Sequence, residues 1–300
     1  MQKLLNSKFS VKLSILIGKR MPHKMVAWII KVISSFLGSS KNLDLTSAVR
    51  LNQNIVSGGT LSDRELVQRA KQVISHAGHC FYDLYHYYDN PDNLDIIAPW
   101  SKPMTDLVNY SLEDQGYLVV APHLSNFDLV VARLVKGGFI GKVLSYPNPG
   151  SGYQMQNKIR ESFGMDIIPL GDSNLEAEIV AYLKAGGIVA TAVDRPIPGR
   201  KRRHYAKFFG SPSPLPLGYI STALAADVPI IVVAAFKDSN NKYGLRISKP
   251  ITLNKYKNKL DDIILNAERV LKRIEEFIKL APEQWLMYYP AWPDQMNREP

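Results

Sequence analysis

The residues best suited to chemistry in this sequence are His123 and Asp128, five positions apart. They lie where an uncharged apolar run, residues 116–122, meets a segment with apolar residues at helical spacing, residues 129–136. Inside one helix the two side chains would point about 140° apart and could not touch. They can touch if His123 lies in a loop and Asp128 in the first helical turn, where the helix N-terminus also stabilises a carboxylate. The spacing therefore predicts a His–Asp pair whose second imidazole nitrogen takes a proton from the substrate's own hydroxyl.

A second polar pattern follows another predicted buried strand, residues 188–193. Asp194 and Arg195 come directly after this strand. Because open α/β sheets form ligand crevices at the carboxyl ends of their strands, both polar patterns are expected at that edge. Spacing alone leaves Asp194–Arg195 either a structural ion pair that closes the strand or a functional pair. Arg160, taken alone, is best interpreted as an exposed helix residue.

The elements that must position these residues alternate between strands and helices. The predicted strands are 117–121, 142–146, 166–169, 188–193, 229–236 and 245–247. The predicted helices are 62–88, 125–136, 153–163, 175–185, 217–226 and 260–280. This alternation predicts an α/β fold with a mixed, mostly parallel sheet flanked by helices.

The N-terminal segment is strongly cationic, with eight Lys or Arg and no acidic residue in the first 43 positions. Its longest apolar segment, residues 25–37, is interrupted by Lys31 and falls short of the roughly 20 apolar residues that cross a bilayer. Helical spacing places Lys24 and Lys31 on a narrow stripe beside a wide apolar face, and Pro22 separates this helix from a similar one. Such a pair is typical of helices that lie in an anionic membrane surface. The alternative is an amphipathic hairpin packed on the protein's own core.

Composition sets further bounds. A chain of 300 residues that is 46% hydrophobic can bury one large α/β core, and we divide it into an N-terminal helical hairpin, 1–45, and an α/β catalytic domain, 46–300. The single cysteine, Cys80, excludes disulfides, fits a reducing cytoplasm and is expected to be a buried thiol. No ligand spacing for a metal is present, so none is expected. The net charge of +10 implies an anionic partner, namely lipid headgroups, nucleic acid or a phosphorylated donor.

Several motifs occur in a fixed order along the chain. HLSNFD at 123–128 is followed by RxxxG from Arg160, a strand ending in Pro169, a strand ending in Asp194-Arg195, then FFG at 208–210 and VPI at 228–230. In this order they resemble the lysophospholipid acyltransferase superfamily. Within it, the chain is similar to the lipid A biosynthesis acyltransferase branch, which includes lauroyl and myristoyl lipid A acyltransferases and phosphatidylinositol-mannoside acyltransferases. The closing stretch at 282–293 extends the likeness over nearly the whole chain.

The resemblance implies transfer of an acyl group from a thioester, on acyl-CoA or acyl carrier protein, to a hydroxyl of a glycolipid or lysophospholipid. In that role His123 would take the hydroxyl proton and Asp128 would orient the imidazole, with no cofactor and no covalent enzyme intermediate. By the same analogy Arg160 and Arg195 would bind donor or acceptor phosphates, with Asp194 fixing Arg195. The resemblance also implies a peripheral protein on the cytoplasmic face of the bacterial inner membrane.

Four further residues are candidates for substrate contact. Asn126, or a backbone amide near the helix start, could stabilise an oxyanion. Pro196 stands where many relatives have an acidic residue, which argues against acceptor binding by an acid in that loop. Arg200 opens a basic segment that would face a phosphate-bearing donor or headgroup, or else form a solvated loop. An acyl chain needs an apolar groove, since each buried methylene contributes about 0.8 kcal/mol. Phe208 and Phe209 are candidate walls for it, with core packing as the alternative.

Two other classes of function fit parts of the sequence. The charge of +10 would suit a nucleic-acid-binding protein, but no helix-turn-helix, zinc-finger or aromatic RNA-binding signature accompanies it. A serine hydrolase on a similar sheet would need a G-x-S-x-G elbow, and Ser125 follows His123 too closely for the usual nucleophile–base pair. The membrane-associated acyltransferase is therefore the leading hypothesis.

Overall fold

The computed structural model describes residues 8–40, 42–88, 93–145, 151–171, 174–197 and 204–296. Helices come first along the chain: α1 (Lys8–Arg20), α2 (His23–Ser39), α3 (Asp44–Val56), α4 (Asp63–Tyr88), α5 (Leu94–Ile97) and α6 (Lys102–Tyr110). Strands and helices then alternate as β1 (Tyr117–Ala121), α7 (Phe127–Lys136), β2 (Lys142–Ser145), α8 (Ser151–Ser162), β3 (Asp166–Pro169), α9 (Leu175–Lys184) and β4 (Ile188–Ala192). The remaining elements are β5 (Ala206–Phe208), β6 (Ser211–Ser213), α10 (Gly218–Ala226), β7 (Ile230–Lys237), β8 (Tyr243–Ile247), α11 (Lys259–Lys279), a 3-10 helix (Pro282–Gln284) and α12 (Pro293–Met296).

The central sheet has the strand order β3-β2-β4-β1-β7-β8. Its pairings are parallel except for β7 with β8, which is antiparallel. The predicted mixed, mostly parallel α/β fold is confirmed. β1 has a hydrogen-bonded neighbour on each side, so it lies inside the sheet.

Alternate residues of β1 face two separate hydrophobic clusters. Leu118 and Val120 belong to the cluster that includes α9, α10, α11 and the C-terminal tryptophans. Tyr117 and Val119 belong to the cluster that includes α4, α6 and α7. Burial on both faces explains why β1 is an uninterrupted apolar run without polar alternation.

Each predicted strand is present, but α3 and the short β5–β6 hairpin are not among the predicted elements. Helix α3 is not predicted from apolar spacing because it also buries polar side chains. Asn52 donates to the carbonyl oxygens of Met287 and Tyr289, and Gln53 donates to that of Pro282. These partners lie in the C-terminal segment, so nothing near α3 in the sequence indicates them.

Helix α2 packs on α4 through one narrow face. Val26, Ile30, Ser34 and Gly38 are buried on that face. A Cβ atom on Gly38 would lie 2.8 Å from the Cα atom of Lys71 in α4, so the two helix backbones approach as closely as a glycine permits. The predicted packing on the protein's own core is therefore present on this side of α2.

The opposite side of α2 is open. Its exposed apolar side chains are Met25, Trp28, Val32, Ile33 and Phe36, and Lys24 and Lys31 are exposed beside them. Among the described residues, no helix combines the length and the hydropathy that crossing a bilayer requires. We call this outer side of α2 the apolar face of α2.

Candidate active site

The sheet register brings two polar residues from different strands to the same edge. Ala121 at the end of β1 pairs with Ala192 at the end of β4 in a parallel register. His123 follows Ala121 by two residues, and Asp194 follows Ala192 by two residues. Equal offsets from paired residues on adjacent parallel strands place the two side chains next to each other at the carboxyl edge.

His123 is held by Asp194. Its Nδ1 atom lies 2.6 Å from Asp194 Oδ1, and its backbone N–H donates to Asp194 Oδ2 at 2.8 Å. Because a carboxylate accepts the Nδ1 proton, Nε2 is left as the proton acceptor of the neutral ring. The His123 side chain is 26% exposed, so the ring has a face open to a substrate.

The predicted contact between His123 and Asp128 is wrong. No hydrogen bond within the described ranges joins these residues, and Asp194 occupies the position that the prediction gave to Asp128. The predicted Asp194–Arg195 pair is wrong for the same reason, since the carboxylate of Asp194 faces the histidine. The guanidinium carbon of Arg195 instead lies 3.6 Å from the centre of the Tyr289 ring.

Asp194 is fully buried and receives three donors. Besides the two from His123, the indole N–H of Trp285 donates to Oδ2 at 2.7 Å. Burial by itself would raise the pKa of this carboxyl, but the electrostatic interaction with His123 and the three hydrogen bonds hold the pKa of Asp194 below its ordinary value. The carboxylate is therefore ionised at neutral pH and directs the Nδ1–H of His123.

Asp128 has a different partner. Arg160 of α8 donates from Nε to Asp128 Oδ1 at 2.7 Å and from Nη2 to Oδ2 at 3.1 Å. A third donation goes from Nη1 to Asn157 Oδ1 at 2.8 Å. Burial would lower the pKa of Arg160, but the charge of Asp128 and its hydrogen bonds raise it, so the guanidinium stays charged. The pair ties α7 to α8, and Arg160 is not the exposed helix residue that one interpretation expected. The predicted phosphate contacts of Arg160 and Arg195 stay predictions.

Breaking this internal ion pair should cost stability. We expect Asp128→Ala to lower the free energy of unfolding by about 3 kcal/mol, because it leaves the enclosed Arg160 charge without its partner. Adding Arg160→Met should recover part of that loss. Urea unfolding measures the stability of the single and the double variant. The control is Asp106→Ala, which should cost about 1 kcal/mol at most because Asp106 pairs with an exposed Lys102. Equal losses of stability in Asp128→Ala and Asp106→Ala would contradict the structural role of the Asp128–Arg160 pair.

The C-terminal segment pins the loop that carries His123. The backbone N–H of Leu286 donates to the carbonyl of His123 at 2.8 Å, and the N–H of Ser125 donates to the carbonyl of Gln284 at 2.8 Å. Leu124 and Trp285 form a β-bridge between these contacts. Residues 284–286 are therefore part of the site, although they lie about 160 positions away along the chain. They fall in the closing stretch that carried part of the family resemblance, but nothing in that stretch indicated a contact with the His123 loop.

Asn126 serves the fold. Its side-chain oxygen accepts from the N–H of Leu129 as the N-cap of α7, and its Nδ2 donates to the carbonyl of Cys80 at 2.9 Å. The amide nitrogen predicted as an oxyanion donor is thus already engaged inside the protein. The backbone N–H groups of Phe127 and Asp128 lie in the first turn of α7, where a helix offers them no intrahelical acceptor. The predicted oxyanion role of a backbone amide near the helix start stays a prediction.

Phe208 and Phe209, the predicted groove walls, pack with the C-terminal tryptophans. Phe208 is fully buried, with its ring centre 5.4 Å from that of Trp292, so its side chain follows the core-packing alternative. Phe209 is partly buried against Trp285, the residue that donates to Asp194. Arg200 lies outside the described residues. Within the described ranges, no cluster of three or more His, Cys, Asp or Glu is arranged to hold a metal ion.

Similarity to a known protein family extends over almost the whole chain. No curated protein matches the chain. The sequence model of the bacterial lipid A biosynthesis acyltransferases matches residues 16–293, which include α2, the whole sheet, His123, Asp194 and the C-terminal segment that pins the loop. With a match over nearly its full length, this chain belongs to the bacterial lipid A biosynthesis acyltransferase family.

Proposed function

We propose that the protein is an O-acyltransferase that moves a fatty acyl group from acyl-CoA or acyl carrier protein to a hydroxyl of a glycolipid or lysophospholipid. The observation that carries this proposal is the His123 imidazole, whose Nδ1 is directed to Asp194 while a face of the ring is exposed. Such a histidine is a general base that needs a hydroxyl proton to act on. An acceptor lipid supplies that hydroxyl.

In the proposed reaction Nε2 of His123 removes the acceptor hydroxyl proton as the oxygen attacks the thioester carbonyl. Asp194 stabilises the imidazolium that forms, and the N–H groups of Phe127 and Asp128 donate to the oxyanion. The carbon–sulfur bond then breaks, and the imidazolium returns its proton to the leaving thiolate. The products are an ester and a free thiol, and no enzyme atom is acylated.

The serine hydrolase alternative does not fit this geometry. The Ser125 hydroxyl is bonded to His76 and only 1% of the residue is exposed, so it meets neither His123 nor a substrate. The nucleic-acid alternative gains no observation from the fold. Transfer of a labelled acyl group from acyl-CoA or acyl carrier protein to a membrane lipid extract tests the proposal directly, and the absence of transfer from both donors would contradict it.

The N-terminal helices support a membrane location for this reaction. The apolar face of α2 exposes large side chains next to Lys24 and Lys31, which suits an anionic bilayer surface. In α1, Ile15 packs with Tyr85 of α4 and Ile159 of α8. Because α8 also holds Asp128 at the start of α7, helix α1 is connected through α8 to the helix that follows His123. We place the protein peripherally on the cytoplasmic face of the bacterial inner membrane, where acyl thioesters are available.

The apolar face of α2 gives a direct test of this location. We expect the double variant Trp28→Ser, Phe36→Ser to bind anionic phospholipid vesicles at least about tenfold more weakly, because each ring would otherwise contribute about 1.5–3 kcal/mol on burial. Both side chains are largely exposed, at 66% and 76%, so their loss should leave the fold intact. The matched control is Leu112→Ser, Ile140→Ser, whose side chains are 66% and 60% exposed outside α1 and α2. Equal weakening by both pairs in vesicle sedimentation would contradict the assignment.

A further inference from the structure

The catalytic loop contains a backbone conformation that its residue does not favour. Ser125 has φ 52°, in the left-handed region. For a residue other than glycine, asparagine or aspartate this conformation costs on the order of 1 kcal/mol and persists where the surroundings impose it. Ser125 stands between His123 and the N-cap Asn126, so this one turn redirects the chain from the loop into α7.

Helix α4 supplies the side-chain contact that holds this turn. His76 Nε2 lies 2.9 Å from the Ser125 hydroxyl oxygen. One turn further along α4, the carbonyl of Cys80 accepts from Asn126. The C-terminal segment pins the other side of the loop through the Ser125 N–H and the His123 carbonyl. The loop is thus held from two sides, and the bond to His76 reaches the strained residue through its side chain at 2.9 Å.

His76 is unsuited to be a base itself. Burial, with the positive charges of Lys237 and His79, lowers the pKa of His76 to about 3. The ring therefore stays neutral throughout the physiological range. Its partner Ser125 is buried, so the two form no exposed nucleophile–base pair. This arrangement is suited to fixing geometry.

We infer that His76 is a positioning residue for the catalytic base: by bonding the Ser125 hydroxyl it holds the left-handed turn that aims His123 at the substrate. This inference rests on the proposed function. It gives α4 a part in the reaction, although no hydrogen bond of the described residues joins a side chain of α4 to the His123 ring. Loss of the bond would let Ser125 relax and move the imidazole, and a displacement of about 1 Å can cost on the order of a hundredfold in rate.

Kinetics of His76→Ala test the inference. We expect kcat to fall by about tenfold or more, with KM for donor and acceptor nearly unchanged, because positioning is lost and binding is not. His76→Gln, whose amide nitrogen can reach the hydroxyl, should recover most of kcat. The control is Asn266→Ala, a buried polar residue bonded to Asn254 near the opposite edge of the sheet, which should lower the melting temperature without lowering kcat.

Glycine at position 125 separates positioning from general stability. Glycine adopts positive φ without strain, so His76→Ala should cost less than about twofold in kcat when it is introduced into Ser125→Gly. An equal loss of kcat in both backgrounds, or wild-type kcat in folded His76→Ala, would overturn the inference. Should His76→Ala fail to fold, His76→Gln and the double variant still decide the question.

The same assay keeps this inference distinct from the proposed function. If His76→Ala retains activity while His123→Ala loses it, the positioning role is wrong and the general-base proposal stands. If neither substitution changes the rate of acyl transfer, the general-base proposal itself is wrong.

Discussion

Replacing His123 by alanine is expected to lower kcat for acyl transfer by about a thousandfold or more, the range that a positioned general base contributes. The loss should appear in kcat, because the imidazole acts on the hydroxyl proton as the new bond forms. KM for the donor should change little. The measurement is transfer of a labelled acyl group to a membrane lipid extract, from acyl-CoA and from acyl carrier protein.

This experiment needs a folded variant. His123→Ala removes the side-chain bond to Asp194 but keeps the second bond, because the backbone N–H of residue 123 still donates to Oδ2. Thermal unfolding should therefore remain cooperative, and Asn266→Ala provides a folded, destabilised control with normal kcat. Undiminished turnover by His123→Ala would end the assignment of this residue as the base.

The second large effect is a contrast between two aspartates. We expect Asp194→Asn to lower kcat by about a thousandfold or more, and Asp128→Asn to lower it by less than about tenfold when both are assayed well below their unfolding temperatures. The five-residue spacing of His123 and Asp128 by itself predicts the larger loss of kcat for Asp128→Asn, because it gives the orienting role to Asp128. Of the two aspartates, Asp194 is hydrogen-bonded to the imidazole, whereas Asp128 is hydrogen-bonded to Arg160.

The geometry explains why asparagine at position 194 is damaging. Two N–H groups, from the His123 backbone and the Trp285 indole, point at the Oδ2 position. The asparagine oxygen must therefore take that place, which turns its NH2 group toward His123 Nδ1. Nδ1 then becomes the acceptor and Nε2 carries the proton, so the ring cannot accept one from a hydroxyl. The substitution preserves shape but fixes the wrong tautomer.

The Asp128 variant is expected to lose stability more than rate. Its side chain would still accept from Arg160 but without a charge to balance the guanidinium. The free energy of unfolding from urea titration and kcat from the acyl transfer assay, measured on both variants, give the comparison. A larger kcat loss in Asp128→Asn than in Asp194→Asn would contradict the site described here.

Much of the architecture follows from local sequence patterns. The strands of the sheet and the helices between them are predicted close to their observed boundaries, because each is a short run whose apolar spacing matches its own period. The location of the site is likewise predicted, since polar residues directly after buried strands meet at one edge of a parallel sheet. The exposed apolar face of α2 and the buried Cys80 also follow from spacing and composition.

The identity of the partner was beyond local reasoning. His123 and Asp128 are close in sequence, whereas His123 and Asp194 are 71 positions apart and meet only because Ala121 pairs with Ala192. His123 and Asp194 each lie two residues beyond the end of a strand, but this equal spacing predicts a contact only when β1 and β4 are known to be neighbours. Strand order is a property of the whole sheet, because several orders can satisfy the same run of buried strands.

The sequence by itself thus determined the α/β elements, the histidine and the edge of the sheet where it lies, since these depend on periodicity within a few residues. The tertiary structure alone decided that His123 bonds to Asp194, that Asp128 pairs with Arg160, and that His76 and residues 284–286 bond to the loop after β1. The physical reason is that a hydrogen bond depends on distances of a few ångströms in space. Those distances are set by packing between segments that are remote along the chain.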